Sequence, residues 1–314
     1  MIGKPLRMTL ICKRCNKSFE STHSRRQYCS RICSNRNAND MTKVKFMEKS
    51  KVIVWSCGGG IDSTAIAILI IQGKLPRPDF AIMVDVGYEP QSTWNHVNNI
   101  LKPRLRTVGV ELHILRSNEW IDTSLVDHRG WCCLPAYCKK DDIVQKLSTR
   151  CSGNWKVKVA KKWLRKQGVE KCEQWIGMAV DEQRRAKPDV NKWIHLRWPL
   201  IEFKMTREDC IWLIGGAGWP PAPRTSCYLC PQQADKQWLR LMNEAPKDFE
   251  KACIAEQSIQ LQCPDVFLHR FCVPLNKAIE RLQQKAFTYE RQMGGGPPGG
   301  SLLPPARSCA HQEE

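Results

Sequence analysis

The stretch Ser56-Cys-Gly-Gly-Gly-Ile-Asp-Ser-Thr64 has the residue types and spacing to hold a phosphate. It follows a strand-like apolar run and opens a run with helical spacing. Gly58, Gly59 and Gly60 let the backbone turn tightly and approach a ligand without Cβ clashes. Free amides of such a turn, and of the helix it opens, point at an anion. Ser56, Ser63 and Thr64 add hydroxyl donors. Asp62 suits either a helix N-cap or a Mg²⁺ partner. A Gly-rich turn can serve packing alone, but three glycines followed by Asp-Ser-Thr point to binding. No Lys stands in the Walker position, which excludes a P-loop NTPase.

Cysteines are the second chemical resource, 17 in all. Cys12-x2-Cys15 and, thirteen residues on, Cys29-x3-Cys33 supply two pairs of soft ligands, the donor set of structural Zn²⁺. So short a module has little core, so bound metal would contribute most of its folding energy. Arg25 and Arg26 between the pairs, and Arg31 within the second, suit phosphate contact. The run resembles small zinc fingers attached to phage and bacterial nucleic-acid enzymes; a structural cap is the alternative.

The glycine loop resembles the PP-loop of the adenine nucleotide alpha-hydrolase superfamily, with a Cys inserted after the first Ser. The resemblance continues through Met83-Val-Asp-Val-Gly-Tyr-Glu-Pro, Trp175-Ile-Gly-Met-Ala-Val-Asp-Glu-Gln-Arg-Arg, Trp198-Pro-Leu-Ile-Glu, Met205-Thr-Arg-Glu-Asp-Cys and Ser226-Cys-Tyr-Leu-Cys-Pro. It covers about Val52 to Leu275 and is closest to the phosphoadenosine phosphosulfate reductase-like proteins common in phages. It extends to the sulfur-inserting enzymes of DNA phosphorothioation. What it implies is an adenine nucleotide, ATP or a sulfonucleotide, with Mg²⁺. In the resembled adenylyl-sulfate reductases a Cys-Cys pair and a later Cys-x2-Cys pair ligate one [4Fe–4S] cluster. Cys132-Cys133 and Cys227-x2-Cys230 match those pairs, with Cys138 as a substitute ligand. Zn²⁺ would satisfy the same thiolates. Cys309-Ala-His311 matches the mobile nucleophile motif of the true reductases poorly.

Charged residues cluster near the end of another expected strand. Asp181 and Glu182 suit Mg²⁺ or a capping role, and Arg184 or Arg185 would bind phosphates bidentately. Asp85, at the end of the second strand, would face the nucleotide or form a turn. In this reading Asp62, Ser63 and Arg185 are catalytic, and Ser56, Gly58, Gly59, Gly60, Asp62, Ser63, Thr64, Asp85, Asp181, Glu182 and Arg184 hold the cofactor. His269 is read as structural, with a substrate role as the alternative.

These residues need a scaffold. Strand-like runs at Val52–Cys57, Asp79–Val86, Val110–Leu115, Glu173–Met178 and Trp193–Leu200 alternate with helical patterns at Ile61–Gln72, Thr93–Val108 (with an irregularity at Pro103), Lys156–Gln167 and Thr206–Ile214. That alternation argues for an α/β fold with a doubly wound parallel sheet, preceded by the small zinc module and followed by a helical C-terminal part. Asp235–Met242 and Lys247–Gln262 carry that helical part. The expected division is a zinc finger at 1–40, a linker at 41–51, the nucleotide-binding domain at 52–215, its Cys-x2-Cys and helical extension at 216–293, and a Gly/Pro-rich disordered tail at 294–314.

Composition bounds the class. The chain has 314 residues, 42% hydrophobic and 25% charged, which excludes wholesale disorder. No apolar run approaches the ~20 residues of a membrane span, and no signal peptide is recognisable. A cytoplasmic protein without a membrane partner is expected. The formal charge is +18, and residues 1–50 carry 12 Lys/Arg against 3 Asp/Glu. A second basic run covers Arg150 to Lys171. Such an excess favours polyanions, so DNA or tRNA is the expected partner, with a sulfur donor or thioredoxin-like protein beside it. The leading expectation is an enzyme that adenylates a nucleic-acid substrate for sulfur or related group transfer. A reductase releasing sulfite and a non-enzymatic nucleic-acid-binding regulator are the alternatives.

Overall fold

A hairpin of β1 (Met8–Ile11) and β2 (Ser18–Ser21) begins the computed structural model, pairing Met8 with Ser21 and Ile11 with Ser18. The structure describes residues 8–13, 17–23, 25–29, 52–149 and 151–292. Cys12 lies buried at the end of the hairpin, and its N–H donates to the Lys17 carbonyl at 2.9 Å. Cys15, Arg31, Cys33, the 41–51 linker and the Cys309–His311 tail lie outside the described residues. The four-thiolate zinc set is therefore not seen as a set.

Chain contacts divide the protein into two compact units. One comprises 1–123 and 151–227, the other 124–150 and 228–314. The sequence places a boundary near residue 215; by contacts the first unit runs on to Cys227 and excludes the 124–150 insertion.

The first unit holds a five-stranded parallel sheet. β3 (Val52–Ser56) leads through α1 (Ile61–Ile71) to β4 (Phe80–Asp85). The chain continues through α2 (Gln91–His96), a π-turn at Val97–Leu101 and α3 (Lys102–Arg106) to β5 (Leu112–Arg116). The single helix expected over 93–108 is thus broken into α and π pieces. Pro103 explains the break: it has no N–H for the carbonyl one turn back, and the ladder widens just before it.

In the second unit, β6 (Tyr137–Lys140) and β7 (Ile143–Lys146) form an antiparallel hairpin. Asp141 and Asp142 turn it with φ of 49° and 61°, the left-handed pair that a two-residue hairpin loop requires. The chain then re-enters the first unit through a π-turn at Ser152–Val157 and α4 (Lys158–Lys166), reaching β8 (Cys172–Ile176) and β9 (Ile194–Arg197). β9 stops before the expected Leu200 because Pro199 opens the short α5 (Pro199–Glu202). α6 (Arg207–Gly216) follows behind a capping box of Thr206 and Asp209.

The sheet order is β5-β4-β3-β8-β9. Chain order reverses between β3 and β8. Trp55, Ala81, Met83, Leu112 and Trp175 face one side, under α1, the π-turn, α3, α5 and α6. Val54, Ile82, Leu115, Cys172 and Ile194 face the other, under Val159, Ala160 and Leu164 of α4. Helices on both faces make the sheet doubly wound, and its strands read as continuous apolar runs because neither face meets water.

The rest of the second unit is mainly helical: α7 (Asp235–Glu244), α8 (Pro246–Gln260), β10 (Val266–Phe267) and α9 (Leu275–Gln292). β10 adds to the hairpin by pairing with β6. No helix among the described residues is long and apolar enough to cross a membrane.

Candidate functional site

A cavity of about 520 Å³ opens where chain order reverses, beyond the carboxyl ends of β3 and β8. Ligands of open α/β sheets bind at this switch point. Its floor is the glycine loop. Gly60 is the N-cap of α1, and no side chain caps the helix. The first helical bond runs from Thr64 N to Gly60 O at 2.8 Å, so the preceding amides have no acceptor within the helix. They carry the positive end of the helix dipole to the cavity.

Two glycines are required by geometry. Gly59 has φ +73°, and a Cβ there would stand 3.1 Å from Val97. A Cβ on Gly60 would stand 2.6 Å from Thr225 Oγ1. The hydroxyls divide their labour. Ser63 Oγ accepts from Gly58 N at 2.8 Å, and Ser56 Oγ accepts from Gln174 Nε2 at 2.7 Å; both serines line the cavity. Thr64 is buried and turned away from it. Its hydroxyl donates to Gly60 O at 2.9 Å and meets His96 Nε2 at 2.9 Å. With the hydroxyl proton spent on Gly60, His96 is the donor, and its burial lowers its pKa and keeps the ring neutral.

Asp62 lines the cavity with its carboxylate nearly buried. Burial raises its pKa, while Arg207 at 4.0 Å and the Ala179 N–H act in the opposite sense. Its Oδ1 is buried without a hydrogen bond. That oxygen fits Mg²⁺, a hard cation that takes carboxylate ligands. Cys57, also on the wall, is held as a thiol by burial, which pushes its pKa up to about 11.

Arg207, Arg224, Arg185 and Lys156 bring four cations to this one cavity. Only Arg185 was singled out from the sequence. Lys156 is ion-paired with the buried Glu89. Burial works against its charge, but Glu89, and to a lesser degree Cys227, keep the ammonium above its ordinary range. Glu182 lines the cavity, pairs with Arg185 and stands 3.9 Å from Arg207.

Other expected ligands are placed elsewhere. Asp181 Oδ2 accepts from Arg207 N at 2.6 Å, which fastens the start of α6. Asp85 Oδ1 accepts from Gly87 N at 2.7 Å, the turn alternative of its reading. Arg184 is exposed, and neither it nor Asp85 lines the cavity. Sequence reasoning missed Lys156, Arg207 and Arg224. Arg207 sits inside the Met205-Thr-Arg-Glu-Asp-Cys run, next to the helix cap Thr206; Lys156 lies in the Arg150–Lys171 basic run, which does not set it apart, and Arg224 carries no local signal.

One wall suits a base. The Ile82 carbonyl accepts from Cys57 N at 2.8 Å. Strand alternation turns the N–H and C=O of Val84 to the same side, past the last residue of β3, where Val84 lines the cavity.

Among the described residues, no group of three or more His, Cys, Asp or Glu side chains is gathered to hold a metal ion. The centre expected from Cys132, Cys133, Cys227 and Cys230 thus rests on sequence pairing alone. Cys132 is buried, its sulfur accepting from Leu134 N at 3.4 Å, and Cys133 approaches the Trp131 carbonyl at 3.8 Å. His269, in the second unit, is buried against Asp235 at 3.3 Å and Phe271.

No protein-family model matches the chain, and no curated protein does. Among solved structures it is similar to the U34-tRNA thiolase NcsA from Methanococcus maripaludis with its [4Fe-4S] cluster, at 14% identity and TM-score 0.44, over 81% of this chain and 88% of that one. At that identity and score no residue is carried from one chain to the other.

Proposed function

We propose that this chain is a PP-loop enzyme that binds ATP and activates a nucleic-acid substrate by adenylation for sulfur or related group transfer. The observation that supports it is the meeting of an uncapped α1 N-terminus and its glycine loop with Lys156, Arg185, Arg207 and Arg224 in one cavity. Four cations and a set of free amides match a polyphosphate better than a single carboxylate or sulfate. The Val84 main chain offers a donor and an acceptor to the edge of a purine.

In this reading the loop amides and Arg207 hold the β- and γ-phosphates. An oxygen of the acceptor attacks the α-phosphorus; the new O–P bond forms as the bond to the bridging oxygen breaks, and pyrophosphate departs. A sulfur or amine nucleophile then displaces AMP. Mg²⁺, held by Asp62 with Glu182 near, would neutralise phosphate charge. The chain's own contribution is preorganised positive charge where the leaving group develops its negative charge. No step is assigned to an iron–sulfur cluster or to zinc.

The test is calorimetric titration of ATP with Mg²⁺, followed by pyrophosphate release in the presence of RNA or DNA. ATP is expected to bind, and Arg207→Ala to weaken it about tenfold or more, the loss of a charge-assisted contact. Absence of ATP binding overturns the reading. So does sulfite release from a sulfonucleotide with a dithiol and no pyrophosphate from ATP.

A further inference from the structure

Helix α4 has a basic face with no function so far. Its sequence, Lys158-Val-Ala-Lys-Lys-Trp-Leu-Arg-Lys166, contains no acid. Val159, Ala160 and Leu164 are buried against the sheet, while Lys158, Lys162, Arg165 and Lys166 are exposed. Only Lys161, among the described residues of the helix, is ion-paired, with Asp189 at 2.8 Å.

A solvated face of an ordinary helix carries acids spaced to answer its bases. Here they are missing. Helix-dipole stabilisation acts within the last turn, so it explains Arg165 and Lys166 at the C-terminus but not Lys158 or Lys162 further back. The heads are also held in place. Arg165 lies 3.9 Å over the Trp193 ring, Lys166 lies 5.4 Å over Trp120, and Lys162 donates to the Trp120 carbonyl at 3.1 Å. Carbonyls and aromatic rings fix these cations without neutralising them, so binding a polyanion costs less side-chain entropy. The charges extend over ~12 Å of helix axis. The same segment lines the nucleotide cavity at Ser152, Lys156, Val157 and Ala160.

We propose that the exposed face of α4, through Lys158, Lys162, Arg165 and Lys166, binds the phosphate backbone of a nucleic acid and leads it to the cavity. The binding half stands on this face alone; the delivery half rests on the adenylation reading above. An anionic membrane is the other polyanion to consider. Membrane-surface helices insert an apolar face, and that of α4 is already buried in the protein.

The experiment measures binding of a short fluorescein-labelled RNA stem–loop by the full chain, without nucleotide, across a salt series. The triple variant Lys158→Gln/Lys162→Gln/Lys166→Gln is compared with Lys236→Gln/Lys247→Gln/Lys277→Gln, which lowers the net charge equally on the other unit. Affinity is expected to fall about tenfold or more in the first variant, with the salt slope reduced by about 2–3, near 0.9 per lost phosphate contact. The second variant should shift both far less. ATP affinity should match wild type in both, because none of the six residues lines the cavity, and the melting temperature should change little and alike in both, because all six are exposed. Equal RNA affinity and slope in the first variant and wild type overturn the proposal, as does an equal loss in both variants. Binding to vesicles rich in phosphatidylserine but not to RNA also overturns it. If ATP binding is absent while the α4 variant alone loses RNA, the surface stands and the adenylation reading falls.

Discussion

Gly60 shows how narrow the tolerances of the cavity are at the scale of a residue. A Cβ there meets Thr225 Oγ1 at 2.6 Å, and Pro223 O at 3.4 Å stands behind. Gly60→Ala must displace either the loop or the 223–225 strand of chain. Overpacking of this kind costs about 1–3 kcal/mol, so ATP affinity should fall about tenfold. Adding Thr225→Ala removes the close atom and should recover most of it. A titration in which the double variant binds no better than Gly60→Ala would refute this account of the loop. The loop was legible in the sequence because its glycines, serines and Asp62 are contiguous. Lys156, Arg207 and Arg224 were not, because they stand in three separate segments, Lys156 within a basic run that does not set it apart, and only folding brings them together.

Elements of the sheet unit were legible for a related reason. Buried parallel strands and the helices between them alternate in hydrophobic pattern, and β3, α1, β4, β8 and α6 fall where that pattern puts them. The β6–β7 hairpin was not legible: its turn is Asp-Asp rather than Asn-Gly, and β7 is exposed throughout. In the second unit the local energetics centre on Glu256 of α8. Its carboxylate accepts from Leu268 N at 2.7 Å and Leu275 N at 2.6 Å, tying α8 to the β10 exit and to the start of α9. Burial outweighs those two donors and raises its pKa from 4.5 to about 7. Between those values the folded state holds a proton that the unfolded chain has released. Stability therefore falls as pH rises through that window, by roughly 3 kcal/mol in all, and is level above it. His96 and His269, buried with lowered pKa, act in the opposite sense. The Glu256 contribution is thus read from urea unfolding as wild type minus Glu256→Gln across pH 5 to 8 (roughly the window set by the shift). A difference that does not change with pH would remove the proposed titration.

The whole molecule is two units threaded by one chain, with 124–150 leaving the sheet unit and returning. All residues lining the cavity at the glycine loop belong to the first unit. Truncation after Cys227 should therefore keep ATP binding. It also removes β10, which pairs Val266 with Cys138 and Phe267 with Tyr137. The β6–β7 hairpin left behind has two strands, which are marginal alone in water. Amides of 137–146 should then exchange rapidly in a hydrogen-exchange experiment, while those of β3 and β8 stay protected. Loss of ATP binding on truncation would contradict the assignment of the cavity to one unit. Neighbouring residues alone carried the alternation of strands and helices, the glycine loop between β3 and α1 and the basic excess, because each is a contiguous pattern. The tertiary structure alone decided three things. It set four cations around the loop, turned Thr64, Asp85 and Asp181 to internal hydrogen bonds, and paired Lys161 of α4 with Asp189 while leaving the exposed Lys158, Lys162, Arg165 and Lys166 to face solvent. The physical reason is that electrostatics and hydrogen bonding act across space, between residues whose separation along the chain carries no local pattern.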